Sequence, residues 1–183
     1  NVKQKDGFSA FIPSPFPPDD ILNLPKEILA KADEARGLIG KLDGITNILP
    51  DVEFFLQMFV TKDATSSAQI EGTRATMIDA IEKKVGVATK ETDADDILFY
   101  IKALNFGTKR LDSLPLSSRL IKEIHSKLMT GARSTHFANP GEFRTSQNWI
   151  SGTSPANALF VPPPVDEMNR ALRDFDEFLH DEK

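Results

Sequence analysis

Glu71 is the residue whose type and position ask most of their surroundings. It stands in "TSSAQIEGTRAT", Thr65 to Thr76, after the apolar helical segment "LPDVEFFLQMFV" and directly before a glycine. Helix residues advance by about 100° each. Val60 and Glu71, eleven positions apart, therefore return to nearly the same face, with Ala64, Ser67 and Ala68 between them. The spacing predicts that Glu71 prolongs an apolar stripe and points inward or into a cleft, at a helix end that Gly72 stops. A carboxylate at a helix C-terminus opposes the dipole, at a cost of roughly 0.3–1 kcal/mol. Its natural complement is a cation, above all an arginine fork. Arg74 is near in sequence, and an arginine from beyond Lys183 is a second candidate. The bland alternative is a solvated glutamate at a frayed helix end.

Other signs of chemistry are missing from the sequence. No G-x-G, Walker-type loop or H-E-x-x-H occurs. His125, His136 and His180 lie far apart and share no ligand spacing, so no metal site and no catalytic group is assigned within the chain. His125 sits on the edge of a helix striped by Leu120, Ile121, Ile124 and Leu128, where a histidine usually satisfies one hydrogen bond. His180 falls near a helix C-terminus, which welcomes positive charge.

Helices must position these residues. "NLPKEILAKADEARGLIGKL" offers Asn23 as a cap and Leu24, Ile28, Ala35, Leu38, Ile39 and Leu42 at helical spacing. Pro50 and Asp51 open the next helix, whose buried stripe is expected at Val52, Phe55, Leu56, Phe59 and Val60. "TMIDAIEKKV" takes Thr76 as its cap. "TDADDILFYIKALNFGTKRL" has acids in its first turn and Lys109 and Arg110 in its last, matching the helix dipole, with Ile97, Leu98, Ile101, Leu104 and Phe106 inward. "SSRLIKEIHSKLMTG" runs from a serine cap to a stop at Gly131. The last segment, "VDEMNRALRDFDEFLHDEK", is an acidic amphipathic helix with Val165, Met168, Leu172, Phe175 and Leu179 on one face.

Two stretches break the helical pattern. "FIPSPFPP" carries four prolines in eight residues and predicts an extended arm over residues 1–18, with Phe8, Phe11, Ile12 and Phe16 packed onto the domain. Residues 132–164 alternate weakly, with turn signals at Asn139-Pro140-Gly141 and Ser151-Gly152, and read as a hairpin or long flap. A loop of that length in a helical domain is usually functional.

Bulk properties narrow the classes. The 183 residues suffice for one ordinary domain, and 27% charged against 40% apolar residues fits a soluble globular protein. The net charge of -5 argues against nucleic-acid or anionic-membrane binding as the main task. No run approaches the ~20 apolar residues of a membrane span, and no signal peptide is visible. Cysteine is absent, compatible with a reducing, cytoplasmic setting. The start at Asn1 and the stop at "FLHDEK" within a helical pattern suggest a fragment of a longer protein. The last helix is then expected to bury its stripe against segments beyond Lys183, or to leave an apolar patch that favours a homo-oligomer.

"SAQIEG" is similar to the inhibitory-helix pattern of Fic-family proteins: Ser or Thr, three residues, then Glu and Gly or Asn. "IHSKLMTG", "PGEFRTSQNWISG" and "ALFVPPP" with the acidic helix resemble the stretch leading into a Fic core, so the likeness spans about residues 10 to 181. The family's His-Pro-Phe and Gly-Asn-Gly-Arg segment, with its second arginine, does not occur. The resemblance implies an all-α, multi-helix Fic-like bundle with one β-hairpin flap. It implies an arm over 1–18, an N-terminal helical region with inhibitory helix over 19–112, and the first part of a Fic domain with the flap over 113–183.

By the same resemblance, Glu71 is the inhibitory glutamate that pairs with the absent second arginine and obstructs the ATP γ-phosphate. Ser67 is the small polar residue one turn before it, and Gly72 the stop. Gly141 to Pro163 is the flap, with Gly141, Arg144, Asn148, Trp149, Ile150 and Phe160 as docking candidates. There an extended target segment pairs by strand addition. For Arg144 and Trp149, fixing the hairpin weighs at least as much as touching a target. The implied activity of the full-length protein is AMP transfer (AMPylation) from ATP, with Mg²⁺, to a Ser, Thr or Tyr hydroxyl of a protein. That makes the parent a nucleotide-binding nucleotidyltransferase under autoinhibition, with this chain inactive alone and no cofactor tightly bound to it. The competing class is a non-enzymatic helical binding module, or an inhibitor acting in trans on a separate Fic core.

Overall fold

A computed structural model describes residues 1–4, 7–18, 24–87, 93–130 and 139–181. Two short strands, β1 (Val2–Lys3) and β2 (Ser9–Ala10), pair antiparallel and are followed by an extended segment to Pro18. Among the described residues six α-helices follow: α1 (Lys26–Thr46), α2 (Val52–Ile70), α3 (Met77–Lys84), α4 (Asp93–Arg110), α5 (Ser118–Met129) and α6 (Val165–Leu179). The fold is all-α with one small two-stranded hairpin. That hairpin lies in the N-terminal arm, whereas the flap between α5 and α6 holds a single antiparallel bridge, Ile150 with Phe160. The expected cap Asn23, the stop Gly131 and His136 lie outside the described residues.

Helix starts follow local chemistry. Asp51 Oδ1 accepts from the Phe54 N–H at 2.9 Å, and Ser117 Oγ accepts from that of Leu120 at 3.3 Å. These side chains satisfy amide groups that a first helical turn leaves unpaired. Asp176 on α6 adds a second acceptor at the start of α5, taking the Ser118 N–H at 2.7 Å.

α4 is the helix on which the others converge, since α2, α3 and α5 all pack against it. The meeting of α2, α3 and α4 is built from small residues: Ala64, Ala75, Ala80 and Ala94 enclose Ile97, with Ala68, Tyr100 and Ile101 against them. Small side chains let helix axes approach closely, so the contact is tight without large apolar residues. On its other side, α4 meets α5 at Gly107, where a Cβ atom would lie 2.6 Å from Ile124 Cδ1 and 2.9 Å from Cγ1. Arg110 spans the same pair of helices, donating to Glu123 at 2.8 Å through Nε and at 3.4 Å through Nη2. Lys83 and Asp95, 3.2 Å apart, tie α3 to α4.

The expected stripe on α2 behaves differently. Val52, Phe55, Leu56 and Phe59 are exposed and only Val60 is half-buried, while the buried positions of α2 are Ala64 and Thr65. α1 has no buried residue, and its Ile28, Leu38, Ile39 and Leu42 lie open. Helical periodicity encodes an apolar face but not its partner, and among the described residues no element covers these faces. In α6, Val165, Met168, Leu172, Phe175 and Leu179 are half-buried rather than buried.

Two predictions follow from the α4–α5 junction. Gly107→Val should lower stability by about 1–3 kcal/mol, the usual cost of overpacking, read as a reduced urea midpoint. The Arg110 hydrogen bond, reinforced by Arg119, holds the Glu123 carboxyl below the ordinary glutamate range. A depressed carboxylate stabilises fully above its unfolded value, about 4.3. That contribution is lost as pH falls through the lower folded value. Glu123→Gln should therefore flatten the stability loss below about pH 4.3, measured by denaturation across pH.

Candidate functional site

The turn that carries Glu71 is fixed from both sides. Gly72 takes φ +94°, a left-handed conformation that glycine adopts without strain. The Gly72 N–H then reaches Gln69 O at 3.0 Å and the Thr73 N–H reaches Ala68 O at 3.0 Å, a paired closure that satisfies the last carbonyls of α2. Beyond it, Gln69 Nε2 donates to Ala75 O at 3.2 Å, and the Arg74 N–H donates to Asp93 Oδ2 at 3.1 Å. Thr76 and Asp79 close a capping box at the start of α3. The Thr76 backbone and hydroxyl hydrogen bonds hold the Asp79 carboxyl below its ordinary range.

Glu71 is exposed at the rim of an open cleft of about 500 Å³. Ser67, Ala68, Glu71 and Thr73 form one wall, Asp96, Phe99 and Tyr100 of α4 another, and Leu128 and Met129 of α5 the third. The expectation of an inward residue is met only to this degree: the carboxylate borders a cleft but is not buried. No cation pairs with it among the described residues, and Arg74 does not serve as its partner. The lining carries two acids, Glu71 and Asp96, and no lysine or arginine. These residues do not by themselves fit a triphosphate, which needs cations or ordered N–H donors. Among the described residues no group of three or more acids, histidines or cysteines could hold a metal ion.

The flap begins on α5. The Gly141 N–H donates to His125 Nδ1 at 2.8 Å, so the histidine fills the single structural bond expected of it. Gly141 has φ +83°, and a Cβ there would lie 3.0 Å from Lys122 O. Lys122 and Glu142 pair beside it at 2.8 Å. From this base the chain runs out to Ile150, turns through Ser151 (φ +61°) and Gly152 (φ +76°), and returns to Pro164. Asn157 shapes the tip, its Oδ1 accepting from the N–H groups of Thr153 at 3.0 Å and Ser154 at 2.9 Å.

Three consecutive prolines, Pro162 to Pro164, deprive the returning segment of N–H donors. Side chains replace the missing ladder. Gln147 Nε2 donates to both Asn148 O at 2.9 Å and Pro162 O at 3.0 Å. Arg144 donates to Ser146 O at 2.8 Å and to Pro163 O. Arg144 thus fixes the hairpin, one of the two roles weighed for it. Trp149 is 40% exposed, Ile150 56% and Phe160 40%, and Asn148 is exposed beside them. Gln147 and Asn157 were not singled out from sequence. The signal for the first was the proline run, which requires donors from elsewhere.

The Glu71 cleft and the flap base both rest on α5, at Met129 and His125 respectively. Four residues of helix, about 6 Å of rise, separate the two supports.

Residues 29–109 match the sequence profile described as Fic/DOC family N-terminal. Over those residues the chain is similar to the N-terminal region of the Fic/DOC family. The matched stretch runs from the first turn of α1 to the last turn of α4 and includes Ser67, Glu71 and Gly72. α5, the flap and α6 follow it. Among curated proteins the chain finds no match.

Gly141→Ala should weaken the flap base by about 1–2 kcal/mol, the cost of a left-handed non-glycine residue. The expected readout is faster hydrogen exchange at Glu142 and Phe143 with α4 unaffected.

Proposed function

We propose that this chain is the N-terminal regulatory and target-docking part of an autoinhibited protein adenylyltransferase. The observation that carries the reading is the state of Glu71. It is an exposed carboxylate, unpaired among the described residues, held by a fixed turn at the rim of a cleft that also presents Ser67. A carboxylate so placed is a ready partner for a guanidinium that would otherwise bind a nucleotide's terminal phosphate. The Fic/DOC family match over 29–109 supports the same assignment.

In this reading the reacting groups come from a catalytic Fic segment outside these residues, in the same polypeptide or supplied in trans. The nucleotide's cations come from that segment, because the cleft lining offers none. Glu71 competes for one of those cations and keeps the γ-phosphate from its productive place. The flap holds an extended segment of the target protein through main-chain hydrogen bonds, which tolerate varied target sequences. The target's hydroxyl oxygen bonds to the α-phosphorus of ATP, supplied with Mg²⁺, the α–β phosphoanhydride breaks to release pyrophosphate, and the hydroxyl proton goes to a base of that catalytic segment.

Glu71→Gly in the complete protein should raise AMP incorporation into itself and into added target at least tenfold, followed with a labelled ATP. Unchanged incorporation would remove the inhibitory assignment. Adding the separate wild-type chain to the variant distinguishes the two arrangements: restored inhibition indicates action in trans, and none indicates a contact made only within one polypeptide.

A further inference from the structure

The N-terminal arm does more than cover an apolar surface. Its Phe11 N–H donates to Val161 O at 2.9 Å. Val161 neighbours Phe160, whose own main chain faces Ile150 through bonds of 2.8 and 3.3 Å. Successive residues of an extended chain direct their N–H and C=O groups to opposite sides. The returning segment is therefore flanked on both edges, by Ile150 on one and by Phe11 on the other.

Side chains reinforce the same placement. The Phe11 ring packs on Phe160 with centroids 6.0 Å apart, and Phe16 meets Phe178 of α6 edge-on at 4.6 Å. Arg170 of α6 donates to Pro13 O at 3.0 Å through Nη2. Its two other nitrogens are held by Glu167 and Asp174, each at 2.9 Å, so α6 itself orients the guanidinium toward Pro13. Ala10, directly before Phe11, has no exposed surface.

From this geometry we infer that the arm is a strap that positions the flap, with Phe11 and Arg170 as its two positioning residues. Phe11 supplies a third extended strand to the returning segment. Arg170 anchors that strand to α6, which follows the flap directly. Among the described residues the hairpin has one main-chain bridge of its own, and a two-stranded hairpin is marginal alone in water. The strap provides the missing third element and ties the flap to the helical body at a point remote from the His125 anchor. This inference stands whatever the flap docks, because it concerns the flap's own order.

The test uses hydrogen exchange at the Ile150 amide, which bonds to Phe160 O, and the emission of Trp149, the sole tryptophan. Phe11→Pro removes the N–H donor and the ring, Phe11→Ala removes the ring alone, and Arg170→Met removes the anchor while keeping the stem. Phe11→Pro and Arg170→Met should each speed Ile150 exchange at least tenfold and alter Trp149 emission. Exchange at Ala103, buried within α4, should stay within twofold. Phe11→Ala should fall between parent and Phe11→Pro, and it decides the matter if the proline variant does not fold. Ile150 exchange unchanged in Arg170→Met and in the Phe11 variant that folds would overturn the strap. So would equal acceleration at Ile150 and Ala103, which marks a general loss of stability.

Discussion

The close approach of α4 to its neighbours is the constraint from which the Glu71 turn and the flap base take their positions. Ala94 admits α2 and α3, and Gly107 admits the Ile124 side chain of α5. At Gly107 a Cβ would already displace the Ile124 side chain, and Ala94 is buried in the alanine cluster. Because the interfaces rely on shape rather than on bulk, they fix distances well while burying little apolar area per residue. The Glu71 turn on one side of α4 and the α5 platform on the other inherit that precision.

α5 links the two regions. Its C-terminal residues wall the cleft at Glu71 and its middle turn receives the flap through Gly141. A rigid helix shared by two sites transmits displacement between them only by moving as a body, since its hydrogen-bonded turns resist local stretching. The strap enters from a different direction and fastens the flap to α6. The flap is thereby held at its base by α5 and along its return by the arm.

What the sequence revealed depended on how local each cause was. The caps at Asp51, Thr76 and Ser117 are written in residues that bond within three positions, so they were legible. So was the stop at Gly72, where a positive φ calls for glycine. The core was harder to see, because Ala64, Ala80, Ala94 and Gly107 give a weak periodic signal beside leucine and phenylalanine. Conversely, Phe55, Leu56 and Phe59 give a strong signal yet lie exposed, because amphipathicity names a face and not its partner. The Glu71 position followed from helix angles, and its openness did not, since exposure depends on what the remainder of α2 packs against. The strap pairing of Phe11 with Val161 joins residues 150 positions apart, beyond any local rule.

The proline run after Val161 has one more consequence. A sheet grows without limit only if every added strand leaves a fresh edge for the next. Here the returning side of the flap is already spoken for: Phe11 takes Val161 O, Arg144 takes Pro163 O, and Pro163 has no N–H to give. On the outgoing side, Trp149 makes no main-chain hydrogen bond among the described residues. With one usable edge on each copy, edge-to-edge pairing between two such hairpins uses up both edges and stops at two copies.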